Sequence, residues 1–299
     1  MGVIMYKNIA EIPNNIKTKV YLDYCSREEI DTIMNKRDLL RSEVLSILQE
    51  KRILKKTLMP FIGYSVNEKD LIIISDTHIG SNKANIDYIK YVYDYAHQNN
   101  IHNIIHGGDL IESNFIKDKV IEEYKKLGEQ LDYCSEVYPK VEGIKTHVLL
   151  GNHDYDAILN LLGSYKEFNS HFDKRKDINI LGLQKAYIKW FDNLIGVRHL
   201  VKGYDIPVRF MADITFAGHF HRYYKNSGYG NDFDIPTLSD DTHSTLAIYD
   251  PGFLVLRKVG QTAKIFYYTL DKKGGNINLT NYGKVYEDNL TKKRTRKIK

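Results

Sequence analysis

Proline and cysteine are both scarce in this chain of 299 residues, which has six prolines and two cysteines. Cys25 and Cys134 stand far apart and form no C-x-x-C pair, which argues against a disulfide scaffold and fits thiols kept in a reducing compartment. No apolar run approaches the length of a membrane span. The opening MGVIMYKNIAEIP has too short an apolar stretch for a signal peptide, and Tyr6 stands where a myristoylation signal wants Ser or Thr. The expectation is a soluble, cytoplasmic protein with no membrane partner. Internal repeats and low-complexity linkers are missing too. Strong charge is confined to one place. The formal net charge is +5, but the last nine residues, TKKRTRKIK, carry six Lys and Arg and no acid. The basic character therefore sits in a tail, and the remainder is close to neutral.

With 42% hydrophobic and 27% charged residues, the chain can bury a sizeable core, expected as one main domain with an appendage. Residues 1–66 read as an N-terminal helical arm. Ser26 and Glu29 have the form of a capping box, and Ile30, Ile33, Met34, Leu40, Val44, Ile47, Leu48, Leu54 and Leu58 recur near helical spacing until Pro60. Packing against the main domain is the simple use of such a stripe, and a homodimer contact is the alternative. A DNA-reading helix-turn-helix is less well supported, since no Gly-containing turn interrupts the arm.

Over residues 67–275 the pattern changes. LIIIS (71–75), NIIH (103–106) and THVLL (146–150) read as buried strands, with helices near 84–98 and 116–138 between them, which argues for an α/β domain. YIKW, LIGVRH, DITFAGH, TLAIYD, FLVLRK and AKIFYYTL then read as strands with few long helices between, so the second half is expected to be richer in β-structure. Residues 276–299 read as the basic C-terminal tail.

The residues just beyond the strand ends carry the chemistry. LIIIS leads into Asp76 and His78, NIIH into Asp109, and THVLL into Asn152, His153 and Asp154; LIGVR leads into His199 and DITFA into His219 and His221. In α/β sheets, sites assemble outside the carboxyl ends of strands, where loops converge on a rigid platform. Oxygen and nitrogen donors without sulfur suit Mn²⁺, Fe or Zn²⁺. Seven ligands are too many for one ion and suit two that share a bridge.

Asp76-x-His78, Gly108-Asp109, Gly151-Asn152-His153-Asp154, His199 and Gly218-His219-x-His221 resemble, in order, the signature of the calcineurin-like metallophosphoesterase superfamily over roughly residues 70–260. The resemblance implies a four-layer α/β/β/α sandwich with a dinuclear centre. It assigns Asp76, His78 and His221 to one metal, Asn152, His199 and His219 to the other, and Asp109 to the bridge. It also implies that His153 faces the substrate as the catalytic acid, with Asp154 fixing its orientation. His199 departs from the family pattern, since Leu200 comes after it where Gly is usual; His171 and His243 are its substitutes. His106 reads as a packing residue or a partner of the ligands.

Protein phosphatases of the superfamily carry GD-x-VDRG and RGNHE, whereas this chain has GGDLIES and LGNHD, which disfavours a phosphoprotein substrate. SDTHIGS, GGDLIES and AGHFHR are closer in style to DNA-repair nucleases, the archaeal DNA-polymerase small subunit and phage or prophage phosphoesterases. Arg222 and Tyr223, just after the last ligand, are candidates for substrate binding, and the basic tail suits phosphates. The expected activity is hydrolysis of phosphodiester bonds by a dinuclear centre, most readily with Mn²⁺, with DNA as substrate. The alternatives are a small-nucleotide or phosphomonoester phosphatase and a catalytically silent scaffold.

Overall fold

The computed structural model describes residues 62–113, 120–121, 126–158, 165–199, 212–226, 231–240 and 251–289. The helical stripe read over residues 30–58, the TLAIYD run, His243 and the basic residues 292–299 lie outside the described residues. In chain order the elements are β1 (Ile62–Val66), β2 (Asp70–Ile74), α1 (Ile86–Gln98), β3 (Asn103–His106), α2 (Leu127–Val137), β4 (Lys145–Leu150), α3 (Asn152–Ala157) and α4 (Tyr165–Ser170). They continue with β5 (Ile178–Leu183), β6 (Lys185–Trp190), β7 (Asn193–Arg198), β8 (Ile214–Ala217), β9 (Tyr224–Asn226) and β10 (Asp232–Asp234). The last three are β11 (Gly252–Val259), β12 (Thr262–Lys273) and β13 (Asn276–Asn289). No described helix is long and apolar enough to cross a membrane.

The strands form two sheets, one ordered β1-β6-β7-β8-β10-β9 and the other β13-β12-β11-β2-β3-β4-β5. In the second, β2 to β5 run parallel and β11 joins β2 antiparallel. Strand β2 shows why these residues stack in layers. Its successive side chains point to opposite faces, so Leu71 and Ile73 pack between the sheets with Ile188, Trp190, Val197 and Phe216. Ile72 and Ile74 pack on the other face with Tyr88, Ile89 and Val92 of α1 and Leu131 of α2. A strand buried on both faces reads as a continuous apolar run, as LIII does. Among the described residues the helices cover the seven-stranded sheet, and Phe168 of α4 joins the same core.

Three boundaries differ from the sequence reading. Residues 62–66, taken there as the end of the arm, form β1 and pair in parallel with β6. Residues 276–289, taken as tail, form β13, an edge strand paired along β12. Its apolar residues fall in two short stretches, Ile277 and Leu279 packing on one core and Val285 and Tyr286 on the other, with polar residues between, so no continuous apolar run announces it. Of the helix expected over 116–138, the described residues show α2, and Val120 makes a bridge to Ser81.

Trp190 anchors the inter-sheet core. It is fully buried, and its indole N–H donates to the Glu68 carbonyl at 2.8 Å. Trp190→Ala is expected to cost about 3–5 kcal/mol, seen as a lowered urea midpoint at unchanged m-value; a loss below about 1 kcal/mol would contradict this packing.

Candidate metal centre

Every ligand candidate sits on a segment leaving the carboxyl end of a strand. Asp76 and His78 come after β2, Asp109 after β3, His199 after β7, and His219 and His221 after β8, while Asn152 opens α3 beyond β4. The segments after β2 and β3 run side by side. Gly107 N donates to Ile74 O, Asp76 N to Gly108 O, Thr77 N and His78 N to Asp109 O, and Ile79 N to Leu110 O, all within 2.7–3.1 Å. Below them His106 Nδ1 accepts from Gly108 N at 3.2 Å, and its Nε2 lies 3.1 Å from Thr77 Oγ1. Burial pulls the His106 pKa down to about 3, so it packs as a neutral ring.

This path forces unusual backbone. Asp76, His78, Asp109, His219 and His221 all have φ between 45° and 86°, the left-handed region. Such conformations cost of order 1–3 kcal/mol each in a non-glycine residue and persist where the surroundings over-determine them. The loops also approach too closely for side chains. A Cβ on Gly151 would clash with Asp109 Oδ1 and lie 2.5 Å from its backbone nitrogen, and one on Gly108 would strike the His199 ring.

The donors fall into two groups. Ligand atoms of Asp76, His78 and His221 lie within 4.8 Å of one another, as do those of Asp109, His199 and His219. His78 Nε2 stands 3.1 Å from His221 Nε2, which is 3.2 Å from Asp76 Oδ1. His199 Nε2 stands 3.0 Å from Asp109 Oδ2 and 3.1 Å from Asn152 Oδ1, which is 2.8 Å from His219 Nδ1. Asp109 Oδ2 is also 3.8 Å from His78 Nε2, so this carboxylate faces both groups. The Nδ1–H of His199 donates to Gly107 O at 2.8 Å, which turns Nε2 inward toward Asp109 and Asn152. His171, its proposed substitute, pairs instead with Asp132 at 2.7 Å.

This chemistry fits divalent cations. Asp76, His78, Asp109 and His199 are buried, and ring nitrogens face one another at hydrogen-bond distance. The electrostatics calls for positive charge. Burial lowers the pKa of His199, but Asp109 and Asp76 more than reverse this and carry it up to about 9. Burial likewise opposes ionisation of Asp76, yet His221 and His199 hold its carboxyl below the ordinary range.

Asp154, expected to fix the orientation of His153, binds backbone with its carboxylate. Its oxygens accept from the backbone N–H groups of Leu110, Ile111 and Gly151 at 3.1, 3.1 and 2.8 Å, which cross-links the loops after β3 and β4. The Gly151 bond is the reach-back of an N3 carboxylate in a helix cap. Glu112 meets the His153 ring directly. Its carbonyl accepts from His153 Nδ1 at 2.7 Å, and its buried carboxylate lies 3.6 Å from that atom and 3.0 Å from His78 Nδ1. The sequence signal was present in GGDLIES, as an acid three residues after Asp109. His153 Nε2 then lies 3.9 Å from Asp109 Oδ2, and its backbone N–H donates to Oδ1 at 2.9 Å. Burial pulls its pKa down, but Asp109 and Glu112 outweigh this and raise it.

Of the substrate-binding candidates, Arg222 pairs with Asp234 at 3.4 Å and remains 42% exposed. Tyr223 stacks on Tyr267, ring centroids 4.6 Å apart, and Tyr267 stacks on Tyr282.

Two facing sheets with buried Asp and His donors at their strand ends define a metal-dependent phosphoesterase domain. Residues 70–243, more than half the chain, match the family model described as calcineurin-like phosphoesterase, and the chain belongs to that family. No curated protein sequence matches it. Similar solved structures include a Vps29 variant from Entamoeba histolytica, at 17% identity and TM-score 0.42, covering 72% of this chain and 98% of that one. A predicted phosphoesterase from Streptococcus pneumoniae aligns at 15% identity and TM-score 0.37 over 71% of this chain and 97% of its own. The nuclease MPE of Pseudomonas putida aligns at 12% and 0.36 over 70% and 87%.

Carboxylate partners of a ligating histidine typically matter 10–100-fold for metal affinity. Glu112→Gln is therefore expected to weaken Mn²⁺ binding by about that factor in isothermal titration, with His199→Ala weakening it further and His171→Ala leaving it unchanged. Equal effects of His199→Ala and His171→Ala would refute the assignment of His199.

Proposed function

We propose that this protein is a divalent-metal-dependent phosphodiesterase that cleaves nucleic acid, with DNA as its substrate and Mn²⁺ as its metal. The observation that carries the reading is the pair of donor groups facing one another across Asp109, with His153 Nε2 on the same side. Asp76, His78 and His221 would hold one cation, Asn152, His199 and His219 the second, and Asp109 would touch both. Cations held there would supply Lewis acidity to an attacking water and to the phosphoryl oxygens.

The chain's own groups do the rest. His153 keeps Nδ1–H on the Glu112 carbonyl, so its Nε2 can present a proton to the departing oxygen. The neighbouring carboxylates favour the imidazolium, which suits the acid role. The Asp154 cross-link holds the His153 helix start against the Asp109 loop, fixing the distance between acid and bridge. A scaffold would have no need to keep all seven donors converged with these partners intact.

The test is hydrolysis of bis-p-nitrophenyl phosphate, p-nitrophenyl phosphate and labelled DNA by wild type and His153→Ala, with Mn²⁺ and with chelator. Mn²⁺-dependent cleavage of the diester and DNA is expected, falling about 10²–10⁴-fold in kcat in the variant while metal binding persists. Turnover of the monoester alone would make the protein a phosphatase, and bound metal without any turnover would make it a scaffold.

A further inference from the structure

The segment between β8 and β9 runs from a metal-ligand candidate to solvent through a chain of rings and one cation. The His219 ring lies 5.8 Å from that of Phe220 in an edge contact. The Arg222 guanidinium carbon stands 5.5 Å from the Phe220 ring and 5.1 Å from the Tyr224 ring. Tyr224 opens the edge strand β9, opposite Asp234 at the end of β10, which pairs in turn with Ala217 at the end of β8. Its ring is therefore carried on a strand at the same end of the sheet as the ligands. It is 50% exposed, among the large side chains that the fold leaves in solvent. Tyr223, in contrast, is stacked on Tyr267.

Resting on the phosphodiesterase reading above, we infer that Phe220, Arg222 and Tyr224 form a stacking platform for an unpaired nucleobase next to the scissile phosphate, so that the substrate is a single strand or an unpaired end. Aromatic faces take up bases without sequence preference because every base has a π-face, and arginine adds a cation–π contact. Inside a duplex those faces are covered by neighbouring pairs, so the platform discriminates against the interior of a double strand. Arg222 lies over the ring and holds it, while its ion pair with Asp234 fixes the guanidinium from behind. A purely electrostatic grip, such as the basic C-terminal residues would give, needs no rings and takes any polyanion equally.

That contrast sets the experiment. Binding of a labelled oligothymidylate and of an abasic strand of equal length is measured by fluorescence anisotropy with the full chain in chelator, so the readout needs neither metal nor turnover. Wild type is expected to prefer the base-bearing strand by about tenfold or more. Tyr224→Ala should lose that preference, Tyr224→Phe should keep it, and affinity for the abasic strand should be the same in all three. A preference of one in wild type, or one unaltered by Tyr224→Ala, would overturn the platform. Hydrolysis of bis-p-nitrophenyl phosphate by wild type with Mn²⁺ tests the phosphodiesterase reading separately, since that can fail while base-dependent binding holds, and the reverse.

Discussion

The structure depends on the position of the Asp109 carboxylate. One oxygen accepts from the His153 backbone, and the other stands between His199 and His78. No single element supplies this arrangement. The loop after β3 must run beside the loop after β2, exchanging backbone hydrogen bonds, and Asp154 must tie that loop to the start of α3. A buried carboxylate lacking such partners would be expelled or protonated. Left-handed backbone at Asp76, His78 and Asp109 is the strain that this convergence imposes, and the continuous apolar cores on both faces of β2 are what withstand it.

The electrostatic consequence is a site that is poorly balanced by its own residues. Asp76 and Asp109 are buried among inward histidines and hold His199 toward the imidazolium. Divalent cations would replace such protons and take the opposed ring nitrogens as ligands. Binding metal and releasing protons are thus linked. Glu112 then matters in two directions, facing His78 on one side of the centre and His153 on the other. The ligands and the acid are consequently not independent parts, since one buried carboxylate touches both.

Much of this was legible in the sequence because ligands at strand ends leave a local mark. An apolar run of four or five residues ending in Asp, His or Asn is readable without knowing what the strand pairs with, and five such marks in order pick out candidates that the fold brings together. The features that escaped had no local mark. Asp154 looks like a partner of its neighbour His153, yet its oxygens are claimed by Leu110, Ile111 and Gly151, two of them over 40 positions away. Glu112 reads as an ordinary loop acid until the loop folds it under the two histidines. Strand β13 carries its apolar residues in two short stretches separated by polar ones and gains its strand form from pairing with β12, so no continuous run marked it. Tyr223 and Tyr224 are indistinguishable in sequence, and strand alternation sends one onto Tyr267 and the other into solvent.

The proposed dinuclear centre is a pair of cations sharing Asp109. Electron paramagnetic resonance of the Mn²⁺-loaded full chain, alongside metal content per chain, tests it without reference to substrate. Two ions per chain and the spectrum of an exchange-coupled pair are the expected result. One ion per chain, or two showing only the uncoupled hyperfine pattern of isolated Mn²⁺, would contradict it.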